Sequence, residues 1–143
     1  MTHERRLVLD ANIMLRAVFG TRVRFLLETY EDSVSFYTPD ACVRDARLYI
    51  PVISAARHLD PEAGLIVLDE LARLVEVVDH SLYVEYELRA RERMQSRDVA
   101  DWPIAATALL LNCHIWTEDQ NFFGSGIATW TTNNVEVFFR ETQ

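Results

Sequence analysis

Four aspartates sit where short apolar runs begin or end: Asp10 after residues 7–9, Asp45 at the close of 38–45, Asp101 at the head of 101–109, and Asp119 after 114–117. Carboxylates at the carboxyl ends of parallel strands project into the crevice where such sheets bind ligands. A cluster of them repels itself unless a hard divalent cation sits between them. The pattern therefore predicts a Mg²⁺ or Mn²⁺ site, with phosphodiester hydrolysis as the chemistry that most often uses one.

Each aspartate also has a plainer reading. Asp10 suits the N-cap of a helix starting at Asn12, Asp101 precedes Trp102-Pro103 as a cap would, and Asp119 fits a turn. Only their joint placement favours a metal site, because a doubly wound sheet brings strand ends and helix starts to one edge. Asp98 lies one helical turn before Asp101 and is read first as a solvated cap. Glu118 points away from Asp119 if strand geometry persists. Arg89, Arg91, Arg93 and Arg97 either track a nucleic-acid backbone or form a solvated helix face paired with Glu85, Glu87 and Glu92. Trp102, Trp116 and Trp130 read as core residues, and His114 as structural, since hard cations prefer oxygen.

The elements that must carry these residues alternate. Residues 7–9, 35–38, 75–78, 114–117 and 127–130 read as strands, and helices are expected over 12–19, 22–30, the stretch after Asp40, 61–74, 80–95, 98–112 and 134–140. Pro51 should kink or divide the third helix. The expected fold is an α/β, three-layer α/β/α sandwich with a mostly parallel four- to five-stranded sheet, in one domain over 1–143. Half of the 143 residues are apolar, enough for one sizeable core, and nothing approaches the uninterrupted apolar length of a membrane helix. The reading is a soluble, cytoplasmic protein. Cys42 and Cys113 stand far apart without a histidine cluster, which argues against both a zinc knuckle and a disulfide framework.

The net charge of −8 speaks against a generic basic coat for nucleic acid. All 14 basic residues are arginine, which removes the P-loop lysine, Schiff-base chemistry and a receiver domain's lysine.

With those residues in view, the chain resembles a PIN domain, and within that superfamily the VapC-like toxin ribonucleases. Residues 7–15 are similar to the family's opening strand with its metal-binding aspartate, and 101–109 with 115–122 are similar to its most recognisable pair of motifs. The resemblance implies Asp10, Asp45, Asp101 and Asp119 as metal ligands for Mg²⁺ or Mn²⁺, Asn12 and Asn121 as supporting polar groups and Thr117 as a water-orienting hydroxyl; Asp98, one turn before Asp101, joins them as a supporting carboxylate by its spacing alone. It further implies RNA as substrate, an antitoxin protein as partner and a homodimer, without a membrane. Two positions depart from the family pattern: Asp45 stands where a glutamate is usual, with Asp40 as an alternative contributor, and Asn121 replaces an aspartate. Two rival functions follow from these departures and from the sheet: a catalytically weak PIN-like module binding RNA or protein, and a small metal-dependent phosphatase.

Overall fold

The computed structural model describes residues 5–95 and 98–140. Strand β1 (Arg5–Leu9) leads into α1 (Ala11–Phe19) and α2 (Arg22–Tyr30), then β2 (Val34–Pro39), α3 (Asp40–Ala56), α4 (Pro61–Leu71) and β3 (Val75–Val78). The second half holds α5 (His80–Tyr83), α6 (Glu87–Arg93), α7 (Trp102–Leu111), β4 (His114–Trp116), β5 (Thr129–Trp130) and α8 (Val135–Arg140). The strands pair in the order β3-β2-β1-β4-β5, every pairing parallel. The α/β expectation therefore holds.

Alternation along β1 builds the two faces. Leu7 and Leu9 point into one core with Ile13, Leu26, Ile50 and Phe139, while Val8 points into the other with Tyr83, Met94, Ala105 and Ile115. α7 approaches the second face closely because Ala105, Ala106 and Ala108 present little bulk where they are buried. Asn112, at a left-handed φ of 50°, ends that helix and turns the chain into β4. Arg5 fastens the chain's last helix to its first strand by donating to the carbonyls of Phe138 and Phe139 at 2.8 and 2.9 Å. Among the described residues, no helix is long and apolar enough to cross a membrane.

Three local expectations differ from the structure. α3 is not divided at Pro51, which lies on the exposed face, where Arg47, whose carbonyl loses a donor, is exposed as well. The helix expected over 80–95 is instead α5, a 3₁₀ turn at Val84–Tyr86, and α6. The cause is a long-range bond: the fully buried Tyr83 donates its hydroxyl to Asp40 at 2.7 Å, and the same carboxylate accepts from the His80 N–H at 3.0 Å. The helix expected from Asp98 begins as a 3₁₀ turn over Val99–Asp101.

Candidate active site

The chain steps outward from β1 through β2 to β3, then returns to place β4 on the other side of β1. The crevice of such a sheet opens above the carboxyl ends of the two strands at that switch, β1 and β4. Asp10 is the first residue past β1 and Thr117 the first past β4. Their register is fixed by the Asp10 N–H, which donates to the Trp116 carbonyl at 3.4 Å.

A chain of hydrogen bonds then aligns the two strand ends. Oδ1 of Asp10 accepts from the Ile13 N–H at 2.9 Å and so caps α1, while Oδ2 accepts from the hydroxyl of the buried Thr117. The same Thr117 oxygen accepts from the Asp119 N–H at 2.9 Å. Asp119 in turn accepts from the Asn121 N–H at 2.9 Å. Thr117 is thus a bridge between two acidic loops, its proton committed to Asp10, rather than a free hydroxyl aimed at water. Asn121 contributes its backbone, and its side chain is exposed.

Asp101 differs from its neighbours in capping nothing: its side chain makes no bond to the start of α7, although it occupies the N-cap position. Capping falls to Asp98, whose Oδ1 accepts from the Ala100 N–H at 3.0 Å. The Asp101 carboxyl is instead pushed up to about 7, by burial first, then by the charges of Asp98, Asp119 and Asp10. Asp10 is pushed up to about 6, again mainly by burial, with the bonds from Thr117 and Ile13 pulling down and Asp119 and Glu118 pushing up. Carboxylates gathered at one edge repel one another, and a cation among them relieves that repulsion.

Asp10, Asp101 and Asp119 are therefore brought together, with Asp98 beside them. Asp45 is exposed on α3, one turn beyond Cys42. Burial pushes the Cys42 thiol up, and the charges of both Asp10 and Asp45 push it the same way. Asp40, the alternative contributor, is committed to His80 and Tyr83. Glu118 accepts from the Thr132 N–H at 3.3 and 3.2 Å and so turns toward the loop after β5.

The arginines read as possible backbone trackers are largely occupied. Arg91 pairs with Glu87 at 2.7 Å and lies over the Trp102 ring, Arg89 lies over Tyr86, and Arg93 donates to the Ser125 carbonyl at 3.1 Å. Arg97 lies outside the described residues. The arginines that do reach the site's neighbourhood are Arg16 and Arg57, which no motif flagged. They line a groove that starts at Asn12 and Glu118. The one signal for them was the spacing of Asn12 and Arg16, four residues apart on α1. Trp116 is fully buried, Trp102 and Trp130 are partly so, and His114 accepts from the Trp130 indole N–H at 2.9 Å, a structural role.

In donor chemistry the site suits a hard divalent cation: the convergent groups are all carboxylate oxygens, and two of the carboxyls have been driven toward neutrality, by burial first and by neighbouring carboxylates second. Among the described residues, no three His, Cys, Asp or Glu side chains form a group that could hold an ion as they stand. The fit is one of charge and donor type.

Comparison with known proteins agrees with this geometry. The family model described as PIN domain matches residues 8–140. Among curated proteins, none matches significantly. Of solved structures, VapBC2 from Rickettsia felis bound to a promoter DNA fragment superposes with a TM-score of 0.69 at 15% identity, covering 88% of this chain and 98% of that one. PAE2754 from Pyrobaculum aerophilum gives 0.70 at 13%, covering 94% and 89%. FitAcB from Neisseria gonorrhoeae gives 0.64 at 19%, covering 88% and 97%. A family match over nearly the whole chain, a sheet of the same architecture and an acidic cluster at its switch point lead to one assignment: the chain belongs to the PIN-domain family.

Proposed function

We propose that the protein is a Mg²⁺- or Mn²⁺-dependent endoribonuclease, the toxin of a toxin–antitoxin pair. The observation that carries this reading is the convergence of Asp10, Asp101 and Asp119 at the carboxyl edge of β1 and β4, with carboxyls raised to about 6 at Asp10 and about 7 at Asp101. Asp10, Asp101 and Asp119 would hold the ion, with Asp45 approaching from α3 and Asn12 and Asn121 as neutral oxygen donors at the margin. A bound divalent cation supplies Lewis acidity: it lowers the pKa of water, neutralises the phosphate and stabilises the leaving oxygen.

The chain's own residues set the stage for that chemistry. Thr117 fixes the Asp10 carboxylate and the Asp119 backbone relative to each other. Burial of Asp10 keeps bulk water from competing for its oxygens, and Asp98 and Glu118 add negative potential that favours a cation. In the hydrolysis itself, a water oxygen bonds to phosphorus as the bond to the leaving ribose oxygen breaks, and that oxygen takes up a proton. The structural neighbours VapBC2 and FitAcB are toxin–antitoxin proteins, which supports an antitoxin partner here. The setting is cytoplasmic and the working form a homodimer on this reading.

The test is RNA cleavage by the parent and by Asp10→Asn, with Mg²⁺ or Mn²⁺ and with EDTA. Metal-dependent cleavage by the parent alone supports the proposal. Binding of RNA with no cleavage favours the non-catalytic module, and turnover of phosphomonoesters without RNA cleavage favours a phosphatase.

A further inference from the structure

Beside the acidic cleft a groove of about 820 Å³ runs between α1, the start of α2 and the end of α3. It opens off the cleft: Asn12, two residues past Asp10, and Glu118, next to Asp119, both line it. Away from that end the lining turns basic, with Arg16, Arg22 and Arg57 on its walls. Arg16 follows Asn12 by one turn on the same face of α1, about 6 Å along the axis, comparable to the spacing of successive phosphates in an extended strand. Arg57 holds its guanidinium over the Phe19 ring at 5.2 Å, which keeps the charge in the groove. Arg22 stands at the rim, 60% exposed and 3.5 Å from Glu136. Arg16 has no carboxylate partner among the described residues.

In a chain of net charge −8, three guanidiniums on one groove are a local reversal of sign. A polyanion that must put one phosphate among carboxylates needs cations for the phosphates on either side, because affinity for nucleic acid comes mostly from phosphate neutralisation. We propose that this groove is the subsite for the substrate strand beyond the scissile bond, with Arg16 and Arg57 contacting successive phosphates of single-stranded RNA and Phe19 forming the apolar wall under Arg57. The assignment rests on the nuclease reading for its substrate class, and names residues outside the acidic cluster as its binding determinants.

The test separates the two. With Asp101→Asn as background, binding of a fluorescent single-stranded RNA is followed by anisotropy over a range of salt concentrations, and Arg16→Gln with Arg57→Gln is then added. Two lost phosphate contacts should weaken binding and flatten the slope of log K against log salt by about 1.4, at roughly 0.7 per contact on a single strand. Arg73→Gln, an exposed arginine elsewhere on the surface, should leave both unchanged. In the otherwise unaltered enzyme the two groove substitutions should raise KM on long RNA with kcat nearly preserved, and should leave a dinucleotide substrate unaffected. Unchanged affinity and slope would overturn the groove assignment even if the enzyme cleaves RNA. Loss of slope in a protein that never cleaves RNA would uphold the groove and sink the nuclease reading. No RNA binding at all, or binding of polyglutamate by the same arginines in its place, would overturn the groove as an RNA subsite and point to an acidic polypeptide.

Discussion

Replacing Asp101 by Asn removes one charge from the cleft while keeping size and polarity. The Asp101 carboxyl stands at about 7 against an ordinary 3.8, so the folded protein holds a proton there that the unfolded chain releases. Native protein therefore binds more protons than unfolded protein between about pH 4 and pH 7, and stability falls as pH rises through that window. At about 1.36 kcal/mol per pH unit the whole displacement would cost roughly 4 kcal/mol above pH 7. Asp101 is half open to solvent, and screening reduces this to about 1–2 kcal/mol. The substitution should return that amount, raising Tm in EDTA by about 3–7 °C at around pH 8. The gain should shrink as pH falls and vanish below about pH 4, where both states are protonated. Added Mn²⁺ should raise the parent's Tm as RT ln(1 + [L]/Kd) requires, and the variant's by less. Four circular-dichroism melts, parent and variant with and without Mn²⁺, decide the matter. A variant less stable in EDTA, with an undiminished metal shift, would refute the reasoning and make Asp101 a structural residue.

Thr117→Val keeps shape but leaves the Asp10 carboxylate one donor short and the Asp119 N–H without its acceptor; a loss of about 1–3 kcal/mol in urea unfolding is expected, largely restored by Thr117→Ser, and equal stability of the Val and Ser proteins would contradict the bridge. Ser54, fully buried on α3, has a hydroxyl without a hydrogen-bond partner among the described residues; Ser54→Ala should be neutral or stabilising by up to about 1 kcal/mol, and a clear drop in the urea midpoint would show that the hydroxyl is satisfied. Gly126 sits at φ +85°, and an added Cβ would come within 2.4 Å of Arg93 Nη1; Gly126→Ala should therefore cost about 1–2 kcal/mol, and an unchanged unfolding midpoint would count against that turn.

What was legible in the chain was whatever depended on local pattern. The β-type runs at 7–9, 75–78 and 114–116 announce strands, and an aspartate within a few residues of a strand's end lies near the sheet's carboxyl edge whatever else it does. That is why Asp10 and Asp119 could be placed together from the residues alone. Features set by distant partners were not legible. The break after Tyr83 follows from its bond to Asp40, 43 residues away in sequence. The division of labour between Asp98 and Asp101 turns on one 3₁₀ turn, which decides which carboxylate meets a backbone N–H and which is left facing other carboxylates. Asp45 was marked by the resemblance, and its exposure on α3 is set by which face of that helix packs on the core. Arginines are equally opaque: Arg93 folds back onto the Ser125 carbonyl, whereas Arg16, in no motif, reaches the groove.

The central claim is that Asp10, Asp101 and Asp119 hold a divalent cation used to hydrolyse RNA. It is tested most directly by the rate of cleavage of an end-labelled single-stranded RNA as a function of free Mn²⁺, for the parent and for Asp101→Asn. The account predicts no cleavage in EDTA, saturation with Mn²⁺ for the parent, and for the variant a markedly lower rate together with a demand for much higher Mn²⁺. Vigorous cleavage in chelator, or identical Mn²⁺ dependence in the two proteins, would contradict it.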